Sequence, residues 1–148
     1  MREINTNAYV SALRGIVEEG KDVNLLVAGS SMAPFLVHHR DMILFGKPER
    51  DLHRGDMVFY QRLNGQFVMH RIYRVRENGY DIVGDGQTEI ERNVSDQQIF
   101  AIVKKVRRKG VWVGPEDKWW WFFEKVWIRL VPLRPLIKRI YGIVKWER

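Results

Sequence analysis

The chain contains no cysteine. Disulfide frameworks, thiolate zinc centres and cysteine nucleophiles are therefore excluded, and a reducing compartment is consistent with that lack. No uncharged apolar run approaches the ~20 residues a membrane-spanning helix needs. The first residues, Met1-Arg2-Glu3-Ile4-Asn5-Thr6-Asn7, carry charge with no apolar stretch behind them. They read as something other than a secretory leader, and the expected location is cytoplasmic. Low-complexity linkers and internal repeats are missing too, and the length suits one domain with a real core. Acidic residues are scarce in one region only. Residues 104–148 hold 13 basic and 4 acidic side chains, against 12 and 14 in residues 1–103. The formal net charge of +7 is a property of the tail, so a nucleic-acid or anionic-lipid hypothesis concerns that tail.

Apolar Val10, Leu13 and Val17 recur at helical spacing across Thr6–Glu19, with Asn5, Thr6 or Asn7 as cap and Gly20 as stop. Val23–Ala28 is a short apolar run with β-branched residues, which favours a buried strand. Further strands are expected at Met42–Phe45, Met57–Gln61, Phe67–Val75, Tyr80–Val83, Ile99–Val106 and Val111–Val113. Asn64-Gly65 and Asn78-Gly79 are strong turn signals between them. Short strands without alternating helices imply a mostly-β antiparallel domain. After Gly114-Pro115 the composition changes, and Leu136–Trp146 resumes helical spacing, with Leu136, Ile137, Ile140, Tyr141 and Val144 on one side and Lys138, Lys145 and Arg148 away from it. The reading is an N-terminal helix over 1–22, a β domain over 23–114 and an aromatic, basic helical tail over 115–148.

Two stretches carry chemistry. Gly29-Ser30-Ser31-Met32-Ala33-Pro34 offers a hydroxyl on a tight turn, and Val68-Met69-His70-Arg71 sets an imidazole on an apolar strand. Serine is a poor nucleophile until a base takes its proton, and histidine suits that task near neutral pH. If the strand alternates, His70 shares a face with Val68 and Ile72, a setting that disfavours its charged form. Either stretch alone is weak: serine in a glycine turn is common, and a core histidine is ordinarily satisfied by one hydrogen bond.

These stretches, with Arg54-Gly55-Asp56-Met57-Val58 and Gly84-Asp85-Gly86, resemble the type I signal peptidase and LexA-type repressor superfamily, with all blocks in order over roughly Val23–Val106. The resemblance implies a signal-peptidase/LexA-like antiparallel β domain, here with an N-terminal helix and a C-terminal amphipathic helical tail. It selects Ser31, which immediately precedes Met32, as nucleophile and His70 as base. Bacterial signal peptidases and LexA-type proteins carry lysine at the base position. The endoplasmic-reticulum and archaeal signal peptidases carry histidine, and this chain is similar to them. The Ser31 N–H is the implied oxyanion donor. Many signal peptidases add a serine two residues before the nucleophile; that position is Gly29 here, which leaves Ser30 as a substitute. An acid orienting His70 is implied near or after the Gly-Asp block. Asp85 is the strongest motif match, with Glu91 as the alternative and Glu89 also in range.

The implied function is a serine endopeptidase that cleaves a leader or precursor peptide bound extended beside a strand edge, without metal or cofactor. The alternative is a peptide- or leader-binding module on the same fold. Histidine-based activity is expected to fall as pH drops through ~6–7, whereas plain binding need not. Self-cleavage as in LexA-type repressors is disfavoured, since one helix at Thr6–Glu19 is too little for helix-turn-helix.

His38-His39 with Asp41 invites a metal reading, which adjacent strand residues pointing to opposite faces argue against. Asp56 reads as a turn residue whose carboxylate binds local amides. In the tail, Trp119-Trp120-Trp121-Phe122-Phe123 and Trp127 mix with Lys125, Arg129, Arg134, Lys138 and Arg139. That mixture suits peripheral membrane contact through 118–146, cover for a flank of the β domain, or a homodimer contact. Its unbroken apolar character argues against nucleic acid.

Overall fold

The computed structural model describes residues 3–140. Helix α1 spans Glu3–Glu18 and begins upstream of the three polar residues expected to cap it. Val10, Leu13 and Val17 face inward at 3%, 7% and 0% exposure, as their spacing requires. The helix ends at Gly20, whose φ of 93° is a left-handed conformation that glycine adopts without a Cβ penalty.

Eight strands follow: β1 (Val23–Leu26), β2 (Met42–Gly46), β3 (Met57–Gln61), β4 (Phe67–Arg76), β5 (Gly79–Val83), β6 (Glu91–Val94), β7 (Ile99–Arg108) and β8 (Val111–Val113). Every pairing is antiparallel, in the order β1-β2-β7-β3-β4-β5-β6 with β8 added to β7. The mostly-β antiparallel expectation holds. Asn64-Gly65 closes the β3–β4 hairpin, with Gly65 at φ 92° and the Asn64 carboxamide oxygen accepting the Gln66 N–H at 3.0 Å. β6 lies outside the expected strands.

Both faces of the central strands are buried. Met57 and Phe59 of β3 join a core with α1, whereas Val58 and Tyr60 join a second one with Val68, Ile72 and Ile82. This is the period-2 alternation of a strand covered on both sides.

The tail forms α2 (Lys118–Trp121), a wide turn over Phe122–Val126, a tight 3-10 stretch over Trp127–Leu133, and α3 (Arg134–Ile140). Asp117 caps α2 by accepting the Trp119 and Trp120 N–H groups at 3.0 and 3.1 Å. Trp120, Phe123 and Trp127 belong to the same core as Met32, Phe35 and Phe59. The change of composition at Gly114 is thus no break in the core. Tyr141, Val144, Lys145 and Trp146, part of the expected final helix, lie outside the described residues, as does Arg148. Among the described residues no helix is long and apolar enough to cross a membrane.

Two features of the sheet position the site. Among the described residues β1 pairs only with β2, so its other edge is open to them. Among the same residues β4 pairs with β5 only from Arg71 onward, which leaves Phe67–His70 unpaired on the side away from β3. The two open edges line one groove.

Candidate active site

β1 delivers the chain into the Ser31 loop. Gly29 takes φ 89°, and its N–H donates to His38 Nδ1 at 2.6 Å. Beyond it Met32, Phe35 and Leu36 are buried and anchor the loop by burial of their apolar side chains. A short turn, with Leu36 N–H on Met32 O at 2.9 Å and Ala33 N–H on Ser30 O at 3.1 Å, leaves Ser31 half-buried beside the groove. Among the described residues the Ser31 N–H makes no hydrogen bond, so it is available to an incoming oxyanion. Ser30, the expected substitute donor, is exposed and is not among the residues lining the groove.

His70 is held on β4 opposite Val58 of β3, between Val68 and Ile72 on the inward face. It is 6% exposed. Burial, reinforced by the Arg62 guanidinium and opposed by Glu91, lowers its pKa to about 4. The imidazole is therefore neutral and able to accept a proton across the neutral range, but is a weaker base than free imidazole.

The structure brings Ser31 and His70 together. Both line a groove of about 930 Å³, which runs from Asn24–Ala28 on one side to Phe67–His70 on the other. Both also close on Gly84. A methyl group there would lie 2.5 Å from the Ser31 carbonyl oxygen and 3.1 Å from His70 Cδ2. Gly86 N–H donates to that same Ser31 carbonyl at 2.8 Å. Among the described residues no hydrogen bond joins Ser31 to His70; such bonds commonly tighten only with substrate in place.

The two main candidate acids separate. Asp85 is fully buried, and both its carboxylate oxygens are taken by Arg71, with Nε and Nη2 at 2.8 Å each. It makes no hydrogen bond to His70, so the orienting role expected of it is corrected: Arg71 also reaches Gly55 O at 2.8 Å, and the pair ties the β3 entry to the Gly84–Gln87 turn. Glu91 is the carboxylate whose charge acts on His70, raising its pKa while that of Glu91 is lowered mainly by Arg62 and Tyr60 against the effect of burial. Tyr60 OH donates to Glu91 at 2.8 Å, as does Arg62 Nη2 at 2.8 Å. Glu89 is exposed on the rim of a smaller cavity that His70 and Glu91 also line. His70 thus stands between the groove with Ser31 and the cavity with Glu91.

Sequence reasoning missed Arg62, Tyr60 and Arg71. Arg71 sits inside the Val68-Met69-His70-Arg71 stretch and signalled itself as a charge in an apolar run; Arg62 and Tyr60 left no such mark. His38 and His39, read as strand neighbours, instead sit on a turn and stack ring on ring with centroids 3.6 Å apart. Asp41 is occupied by Arg40 and the amides of Val37 and Lys109. Asp56 takes the turn role read for it, accepting the His53 N–H at 2.7 Å and both Nη groups of Arg50 at 2.9 Å.

No curated protein and no solved structure matches the chain. A family model described as Peptidase S24-like matches residues 2–107, a span that runs from α1 into β7 and holds Ser31, His70, Asp85 and Glu91. The chain belongs to the Peptidase S24-like family.

Proposed function

We propose that the protein is a serine endopeptidase with a histidine base, cutting a leader or precursor peptide held extended in the groove. The observation that carries this is the shared position of Ser31 and His70 on one groove and against one glycine, Gly84. Ser31 Oγ attacks the scissile carbonyl carbon while His70 takes the hydroxyl proton. The Ser31 N–H stabilises the oxyanion. Collapse breaks the C–N bond as the proton passes to the leaving amine, and water repeats the cycle on the acyl-enzyme. Glu91 acts on His70 through its charge rather than by direct contact. The open edges of β1 and β4 offer main-chain partners to an extended peptide, which supports strand addition as the binding mode.

The lack of a Ser31–His70 hydrogen bond favours a second reading, a peptide-binding module without catalysis. One experiment separates them. The full chain is treated with a fluorophosphonate and with a peptide library, across pH, beside Ser31→Ala and His70→Gln. The expected outcome is a mass adduct on Ser31, loss of adduct and cleavage in Ser31→Ala, and a fall of about a hundredfold or more in His70→Gln. The wild-type rate should hold through pH 6 and decline toward about 4, because protonated His70 cannot accept the serine proton. Wild-type protein that binds peptides but neither labels nor cleaves would establish the binding reading instead.

The tail supports peripheral membrane contact as a further part of this proposal. Trp119, Trp121, Leu133, Leu136 and Ile140 remain 49–67% exposed in the region of basic excess, a combination suited to an anionic interface.

A further inference from the structure

Four successive carbonyl oxygens, those of Gly84, Asp85, Gly86 and Gln87, accept hydrogen bonds from the C-terminal segment. Arg134 Nη1 donates to Gly84 O at 2.9 Å and to Gln87 O at 2.8 Å. Trp127 Nε1 donates to Asp85 O at 2.8 Å, and Lys138 Nζ to Gly86 O at 2.7 Å. Arg134 also braces Trp127, donating from Nη2 to its carbonyl at 3.1 Å and lying 4.8 Å from its ring. Arg134 is fully buried, no carboxylate forms a salt bridge with it among the described residues, and its Nε has no hydrogen-bond partner. A buried cation whose hydrogen bonds all go to carbonyls, without an ion pair, is costly to keep; here its fork spans the two ends of one turn.

The other side of that turn is the candidate active site. Gly86 N–H holds the Ser31 carbonyl, Asp85 N–H meets Met32 Sδ at 3.5 Å, and Gly84 lies against both Ser31 and the His70 ring. The turn is the spacer between nucleophile and base, and donors from beyond residue 107, where the family match ends, fix its outer side.

We propose that the C-terminal segment is part of the active site: Arg134, Trp127 and Lys138 are positioning residues that clamp the Gly84–Gln87 turn and so set the separation of Ser31 from His70. The activity readout of this proposal rests on the peptidase reading; a second readout does not.

The test uses the full chain with ring-labelled histidine, comparing wild type, Arg134→Gln and Lys138→Met. His70 is assigned with His70→Gln, and its titration is followed by NMR beside the Ser31 labelling rate and the peptide kcat and KM. Lys138 is half-exposed and makes one bond to the turn, so Lys138→Met should keep the fold even where Arg134→Gln does not. The expected result is a labelling rate and kcat about tenfold lower in Lys138→Met and about a hundredfold lower in Arg134→Gln, with KM within about threefold, since misplacement by an ångström costs on that scale. The His70 titration should move up from about 4 toward its ordinary value as water reaches the ring. Folded variants with wild-type His70 titration and wild-type kcat overturn the clamp, and Lys138→Met alone decides if Arg134→Gln fails to fold. If wild type neither labels nor cleaves, the peptidase reading falls and the His70 titration still judges the clamp.

Discussion

Asp85 and Glu91 are carboxylates near the same turn, and their surroundings give them different work. Asp85 has no exposed surface and is locked to Arg71. Asp85→Ala leaves that guanidinium buried and unpaired, which costs about 3–5 kcal/mol. Urea unfolding should show the loss. Glu91 is half-exposed and shared between Tyr60 and Arg62, so Glu91→Gln should change stability little. It removes the charge that counters Arg62 at His70, so the His70 titration should drop further and cleavage at neutral pH should slow by roughly tenfold as the base weakens. Should Asp85→Ala prove neutral for unfolding while Glu91→Gln leaves titration and rate alone, the division of roles drawn here is wrong. That Ser31 and His70 are candidates for one site could be read from the sequence, because a serine in a glycine turn and a histidine on an apolar strand are local patterns; the structure puts both on one groove. The fate of Asp85 could not, since its partner lies 14 residues away and a motif does not show what else a carboxylate meets.

At the level of elements, strands marked by β-branched runs and Asn-Gly turns could be read directly, and those over Met57–Gln61 and Val111–Val113 match residue for residue. β6 could not. Glu91-Arg92-Asn93 has no apolar alternation, Asn93 takes φ 59°, and the strand exists because β5 offers it an edge. The inward face of the tail did leave a signal: Trp120, Phe123, Trp127 and Val131 follow helical spacing, and all are buried. The open edges of β1 and β4 make their own prediction. In a peptide that the protein cleaves, methylating single backbone nitrogens should lower kcat/KM by about threefold to tenfold at positions facing either edge, the loss expected for one hydrogen bond. Successive N–H groups of an extended strand point to opposite sides, so with an edge on each side the loss should recur at consecutive positions inside the groove and vanish beyond it. A peptide tolerant of methylation at every position would argue against strand addition.

Across the whole molecule, one segment serves two surfaces. Its inner side shares the core of α1 and β3, so the segment over 118–140 is not an appendage to be cut away without consequence. Its outer side carries Trp119 and Trp121 at 49% and 53% exposure, with Lys118 lying 5.8 Å from the Trp119 ring. Co-sedimentation with vesicles should be weak for neutral phosphatidylcholine and stronger with phosphatidylserine, by about 1 kcal/mol for each basic residue that reaches the surface. Salt should reverse the gain. A Trp119→Ser, Trp121→Ser double variant, which leaves the buried residues in place, should lose most of the binding. Equal recovery of wild type and variant in the pellet would assign these tryptophans to something other than lipid.

The groove between β1 and β4 is lined by strand edges that no other described strand pairs with. Whatever fills it must arrive with its own amides and carbonyls uncommitted, so helices, hairpins and folded domains are turned away whatever their side chains. On the proposed reading, the first selection this protein makes is for slack chain, and only then for the residues beside the cut.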